Sequence, residues 1–375
     1  MYIHDLTEWP SFYWDENRLK PLLAEVNRLQ RQLFDDLSHS FFDEIGSSLR
    51  DEAALEMLTQ EVVKTSDIEG EKLNSDQVRS SIAIKLGTNI GGLRFAQGQP
   101  NRNIDGIVNV VLDATHRWKE PRTPERLYAW HASLFPSGLN DFGKITIGQW
   151  RDGPMQVVSS PFNKHRVHFE APESNRLHEE MEKFITWFEA SDSLHPVLKA
   201  GIAHLYFVTI HPFDDGNGRI ARAIADLAMA RADGVDQRFY SMSAQIKSDQ
   251  KQYYIILEKS QKGTLDISEW LEWFLDCLCR SFQWAQSALQ AVIRKARVLR
   301  RMEKLQLNER QQKIILKFLN GEFGERLNAT KYKNSASCSA DTANRDLKQL
   351  EKFELLERMG QTKSTAYSIK DILRE

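Results

Sequence analysis

The sequence predicts a mainly α-helical protein interrupted by a β-hairpin, and three observations in its 375 residues carry that expectation. Leu, Val and Ile recur at three- and four-residue spacing through most of the chain, the period that puts one apolar stripe on a helix. Between 150 and 172, "WRDGPMQVVSSPFNKHRVHFEAP" breaks this rhythm with two short β-prone runs, MQVV and RVHF, around a polar turn. From about residue 306 the order is helix, helix, helix and a two-strand ribbon with a Gly turn, which is the order of a winged helix-turn-helix.

In chain order, helical spacing begins at Asn17 and continues to about Leu58, through "NRLKPLLAEVNRLQRQLF" and "DEIGSSLRDEAALEMLTQEVVKTS". It returns after the hairpin in "NRLHEEMEKFITWFEA" and "HPVLKAGIAHLYFVTI". Val197, Leu198, Ile202, Leu205 and Val208 line one side of a helix that should end near His211, because Pro212 disfavours helical geometry in the residue before it. Ile220, Ile224 and Leu227 then restart the helical period. The run "RKARVLRRMEK" at 294–304, six basic residues against one acid, reads as the solvated face of a connecting helix. The last module is spelled by "NERQQKIILKFL", "NATKYKNSA", "SADTANRDLKQLEKFELL" and "ERMGQTKSTAYSI".

Fifty Lys and Arg against fifty-two Asp and Glu leave a net charge of −2, so the chain has no global electrostatic footprint for nucleic acid or an anionic membrane. Cys277, Cys279 and Cys338 are too few for a disulfide framework and poorly spaced for a metal site, and we read them as reduced thiols. The N-terminal "MYIHDLTEWPSFYWDENRLK" lacks the basic and apolar regions of a signal peptide, and no apolar run reaches transmembrane length. A cytoplasmic protein with no membrane partner is the expectation.

Residues 211–222, "HPFDDGNGRIAR", concentrate residue types that answer different chemical demands. Gly216, Asn217 and Gly218 fall at the start of the new helix, where backbone N–H groups lack internal partners and form an anion-binding nest. Glycine lets a phosphate approach without a Cβ in the way. Arg219 and Arg222, three apart on one helix face, can hold separate phosphate groups by forked hydrogen bonds. Asp215 supplies a hard oxygen ligand that could hold Mg²⁺ against the same phosphates, and His211 is placed to take a proton from an incoming hydroxyl.

This stretch resembles the Fic family signature, H-P-F-x-[D/E]-G-N-G-R-x-x-R, and meets every specified position: His211, Pro212, Phe213, Asp215, Gly216, Asn217, Gly218, Arg219 and Arg222. The resemblance implies a helical core with a β-hairpin flap and the transfer of AMP from ATP to a Ser, Thr or Tyr hydroxyl of a protein, the chain itself included. It assigns His211 as general base, Asp215 as Mg²⁺ ligand, Arg219 and Arg222 as clamps on the β- and γ-phosphates, and Phe213 as the anchor of the loop. Relatives that phosphorylate carry Lys where this chain has Gly218. The hairpin at 155–170 matches the flap, whose backbone edge can pair with an extended segment of the protein substrate. In "QYYIILEKSQKG", Tyr254 and Gln261 match nucleotide-side positions, with core packing as the alternative, and His204 reads as structural. The implied division is an N-terminal helical domain at 1–95, a catalytic core at 96–285, a connecting helix at 286–305 and the winged module at 306–375.

A second pattern, "TSDIEG" at 65–70, matches the family's inhibitory motif [S/T]-x-x-x-E-[G/N] through Thr65, Glu69 and Gly70. Its place at a helix end before the catalytic motif is that of members restrained in cis, and it implies that Glu69 pairs with Arg222 and displaces the γ-phosphate. Two other readings use the same chain. Removal of AMP, with Glu69 orienting a water, needs only the same pocket. A DNA-binding regulator with the core as a sensor would use Thr342, Arg345, Lys348 and Lys352 on one helix face, with Ala343, Leu347 and Leu350 on the other. From Leu307 onward, however, thirteen Lys and Arg against ten Asp and Glu leave only +3, which suits a dimer or protein docking module better than DNA.

Overall fold

Helical periodicity becomes a succession of helices in the computed structural model, which describes residues 1–38, 47–87, 101–140, 143–159, 166–190, 194–235, 238–319, 321–360 and 365–370. They are α1 (Glu16–Ser38), α2 (Ser47–Ile68), α3 (Ser75–Leu86), α4 (Arg102–His116), α5 (Pro124–Leu134), α6 (Leu177–Glu189), α7 (Pro196–Ile210), α8 (Asn217–Asp233), α9 (Met242–Ser248), α10 (Gln250–Lys262) and α11 (Ser268–Glu303). Their starts follow local chemistry. The Thr123 side chain accepts from Arg126 N–H, with Pro124 as the first helical residue and Glu125 in the first turn of α5. The chain divides at Gln286 and Ser287 into two units. Residues 294–303 of the basic run form the carboxyl-terminal part of α11.

In the first unit, α7 packs along α8, and α8 in turn lies against α4. Helix α7 is buried almost all round, from Val197 to Ile210, rather than on the single side its spacing suggests. Its residues between the apolar positions are Ala200, Gly201, Ala203, His204, Tyr206 and Thr209, small or able to bury a polar tip, so the helix can be enclosed by its neighbours. The glutamate of α2 that faces this core is satisfied: buried Glu61 accepts hydrogen bonds from Ser241 Oγ at 2.7 Å and Ser243 N–H at 3.1 Å.

The hairpin predicted around 155–170 is present as antiparallel β3 (Gln156–Ser159) and β4 (Arg166–Glu170); its tip at 160–165 lies outside the described residues. The register steps from Val157–Phe169 to Val158–Val167, which leaves His168 as the extra residue of a β-bulge. A smaller ladder that the sequence did not announce pairs β1 (Leu139–Asn140) with β2 (Gly143–Lys144).

The second unit contains α12 (Glu309–Leu319), α13 (Ala329–Ala336), α14 (Ala340–Lys352) and the antiparallel ribbon β5 (Leu356–Met359) and β6 (Ala366–Ile369). Ile314, Ile315, Tyr332, Leu347 and Leu350 pack into its core, and Leu327 adds a bridge to Tyr367. Buried Asp346 is satisfied by Arg310 Nε at 2.7 Å and the Tyr332 hydroxyl at 2.9 Å. On α14 the two predicted faces separate: Ala343, Leu347 and Leu350 are buried, while Arg345, Lys348 and Lys352 are exposed. Among the described residues no helix is long and apolar enough to cross a membrane.

Candidate active site

The loop between α7 and α8 begins where the sequence places it. Helix α7 ends at Ile210, and His211 adopts a left-handed conformation with φ 52°, which swings its side chain off the helix end. His211 Nδ1 lies 3.1 Å from the Val208 carbonyl. A carbonyl only accepts, so Nδ1 carries the proton and Nε2 keeps its lone pair. Burial pushes the His211 pKa down to about 4, opposed by the Val208 hydrogen bond and by the Glu69 and Asp215 carboxylates. At neutral pH the ring is therefore an uncharged proton acceptor.

Phe213 anchors the loop as expected. It is fully buried and stacks on His131, with ring centroids 4.2 Å apart and planes 3° from parallel. Asn217 closes the loop on itself: its Oδ1 accepts from Phe213 N–H at 3.0 Å, and its Nδ2 donates to the Phe213 carbonyl at 2.7 Å. The Asn217 side chain is thus committed to loop geometry. Arg151, a residue the sequence reading passed over, fixes the same loop from outside. It donates to the carbonyls of His211 (2.8 Å), Gly153 (2.7 Å) and Pro172 (2.6 Å), tying the loop to both feet of the hairpin.

Gly216 caps α8 with φ 79°, and a Cβ there would lie 2.9 Å from the Phe135 ring. Gly218 is a close-approach glycine: a Cβ would land on Glu69 Oε1 and 3.3 Å from Arg222 Nη1. A carboxylate of this chain therefore lies against the first turn of α8. Arg222, buried, donates from Nη2 to Glu69 Oε1 at 2.6 Å and to the Thr65 carbonyl at 3.0 Å, and from Nε to Thr65 Oγ1 at 2.7 Å. Burial pulls its pKa down, but the Glu69 charge outweighs this and holds it above the ordinary value.

Arg219 is also met by a carboxylate, from Glu71, with Nη1 3.1 Å from Oε2; the sequence reading did not single out Glu71. Gly70, at φ 89°, turns the chain between the two glutamates, so Glu69 and Glu71 reach different guanidinium groups of α8. The carboxyl end of α2 that presents them is held by Lys247 Nζ to the Asp67 carbonyl at 2.7 Å and Gln250 Nε2 to the Ile68 carbonyl at 2.7 Å. Among the described residues, Arg222 Nη1 and Arg219 Nε are buried without a protein partner. Such open donors fit an anionic ligand.

Asp215 lies at the mouth of the nest, half-exposed. Its Oδ1 accepts from Gly216 N–H at 2.5 Å and its Oδ2 from Asn140 Nδ2 at 3.0 Å, which leaves lone pairs on both oxygens. Among the described residues, no three or more His, Cys, Asp or Glu side chains converge so as to hold a metal ion. A single carboxylate still fits Mg²⁺, which typically takes one or two from the protein and the rest of its shell from phosphates and water.

Tyr254 and Gln261 both line a cavity of about 600 Å³ with Glu69, His211 and Gly218. Tyr254 donates its hydroxyl to the Ile68 carbonyl at 3.3 Å, whereas Gln261, buried, directs its amide to the Val208 carbonyl at 3.4 Å, the same carbonyl that His211 uses. His204 is buried against Tyr253, with Nε2 3.0 Å from the hydroxyl, in the structural place expected.

The Fic/DOC family matches residues 121–229, and a domain of unknown function (DUF4172) matches residues 2–88. The chain is similar to the protein adenylyltransferase Fic of Drosophila grimshawi, 36% identical over 114 residues, covering 29% of this chain and 22% of that protein. The Drosophila mojavensis protein of the same name is also 36% identical over 114 residues, covering 29% and 21%. The chain thus spans about a fifth of the length of these curated relatives. In fold it resembles a Fic family protein from Desulfovibrio desulfuricans G20, with a TM-score of 0.53 at 20% identity, covering 97% of this chain and 99% of that one. The signature loop folded between α7 and α8 lies inside residues 121–229, the part of this chain that matches the Fic/DOC family.

Proposed function

We propose that this protein is an adenylyltransferase that moves AMP from ATP to a Ser, Thr or Tyr hydroxyl of a protein, itself included, and that Glu69 restrains it by occupying Arg222. The observation that carries the reading is that a neutral His211, with Nε2 unprotonated, opens onto the same cavity as the α8 amino terminus. Arg219 and Arg222 hold the two outer phosphates once their carboxylate partners yield. The α-phosphorus is then the exposed electrophile. The acceptor oxygen attacks it as His211 Nε2 takes the hydroxyl proton; the bond from the α-phosphorus to the bridging oxygen breaks, and diphosphate leaves with the electron pair. Asp215 would hold Mg²⁺, whose charge offsets that of the phosphates.

The names of the Drosophila relatives support the reaction class, and the resemblance of the loop supports the residue roles. We assign the flap as the docking edge for the protein substrate: Val157 and Val158 on β3 are exposed, and the strand pairs only with β4 among the described residues. Incubating the full chain with labelled ATP and Mg²⁺ tests the proposal. Read residue by residue at hydroxyls outside the flap, His211→Ala should lower transfer by about 10²–10⁴-fold while ATP binding by calorimetry stays near wild type. Transfer within a few-fold of wild type would remove His211 from this role.

A further inference from the structure

The flap carries a second hydrogen-bonded relay, apart from the signature loop. Ser159 Oγ lies 2.6 Å from His168 Nε2, and His168 Nδ1 lies 2.7 Å from Glu258 Oε2 on α10. The directions are determined. An ionised carboxylate only accepts, so a neutral His168 carries its proton on Nδ1, Nε2 is the acceptor, and the Ser159 hydroxyl donates. Glu258 is anchored by Lys262 Nζ at 2.7 Å and Arg166 Nη2 at 3.2 Å. Burial pushes its pKa up, but the hydrogen bonds from Lys262 and His168 prevail and hold it at about 2, so the carboxylate is ionised at neutral pH. A hydroxyl that donates to a histidine oriented by a carboxylate is the arrangement of an activated nucleophile. The bulge at His168 frees that residue from ladder pairing, leaving its ring to bridge Ser159 and α10.

Ser159, His168 and Glu258 line the same cavity of about 600 Å³ as His211 and Gly218. That volume suits a single ligand of nucleotide size. We propose that Ser159 is itself an acceptor of AMP, so that the protein modifies its own flap, with His168 as the base. The proposal rests on the transfer reading above. Ser159 Oγ forms a bond to the α-phosphorus of ATP, and its proton passes to His168 Nε2 and then to solvent. The bond from the α-phosphorus to the bridging oxygen breaks, diphosphate departs, and a Ser159 phosphodiester to adenosine remains. The adduct removes the Ser159 proton that binds His168, and it places a nucleotide at the end of β3. Self-modification then competes with target docking on the same strand.

The test uses the full chain, as wild type and as Glu69→Gly, incubated with ATP labelled at the α-phosphate and Mg²⁺, then digested and mapped by mass spectrometry with fragmentation that separates Ser159 from Ser160. AMP on Ser159 is the expected result. His168→Ala should slow Ser159 labelling by about 10²-fold or more relative to any other labelled site in the same sample, and added imidazole should restore part of it. A merely structural histidine would not be replaced by free imidazole. Label on other residues with Ser159 bare overturns this proposal and leaves the transfer reading standing. Ser159 labelling indifferent to His168→Ala overturns the relay. No label anywhere, in wild type or in Glu69→Gly, overturns the transfer reading and this proposal with it.

Discussion

Replacing Glu69 by glycine should raise the proposed transfer, and the Glu69–Arg222 geometry sets the size of the effect. Arg222 Nη2 donates to Glu69 Oε1 at 2.6 Å, a charge-assisted bond of a kind worth about 1.5–3 kcal/mol. Arg222 is buried, but the Glu69 side chain is 32% exposed, so water screens part of the attraction and the lower end of that range applies. About 1.5 kcal/mol corresponds to about tenfold. Glu69→Gly should therefore raise self-modification about tenfold at sub-saturating ATP, because the γ-phosphate no longer competes with a carboxylate for the guanidinium. Adding Arg222→Ala should erase the gain. Glu71→Gln tests the second pair: its bond to Arg219 is longer, at 3.1 Å, and the expected gain is smaller, about two- to threefold by the same scale. The assay is incorporation of labelled ATP into purified protein at matched Mg²⁺ and nucleotide. If Glu69→Gly is no faster than wild type, or if its gain survives Arg222→Ala, the carboxylate does not restrain the site through Arg222.

Two further outcomes follow from the same geometry. Asp215→Ala should abolish the Mg²⁺ dependence of nucleotide binding, since no other carboxylate is proposed to hold the ion; calorimetry that finds binding indifferent to both metal and substitution would remove Asp215 as the ligand. Acid should destabilise the fold above the usual carboxylate range. Burial holds His131, His204 and His211 at about 4, about 3 and about 4, below the ordinary 6.5, so the unfolded chain binds protons that the native state refuses. Stability is then whole above about pH 6.5 and falls toward pH 4, by up to about 1.4 kcal/mol per pH unit for each histidine. A melting temperature unchanged between pH 7 and pH 5 would show that these rings are not held neutral.

What could be read from the sequence was whatever local backbone rules encode. Pro212 stops α7 at Ile210, Gly216 takes the left-handed cap of α8, and Thr65 and Glu69 stand four apart at a helix end; each is decided by residues a few positions away. The rest depends on pairings across the chain that leave no local trace. Arg151 looks like a polar loop residue until the carbonyls of His211 and Pro172 converge on it. Glu71 looks like a solvated charge until Gly70 turns it toward Arg219. Ser159 and Glu258, far apart in sequence, are joined only because His168 stands between them. The reaction loop was therefore visible in the primary structure, whereas the carboxylates that hold its arginines were visible only in part. The carboxylates that meet the α8 arginines come from outside the loop, so substitutions at 69 or 71 change how the arginines are occupied while His211, Asp215 and Asn217 keep their own hydrogen bonds.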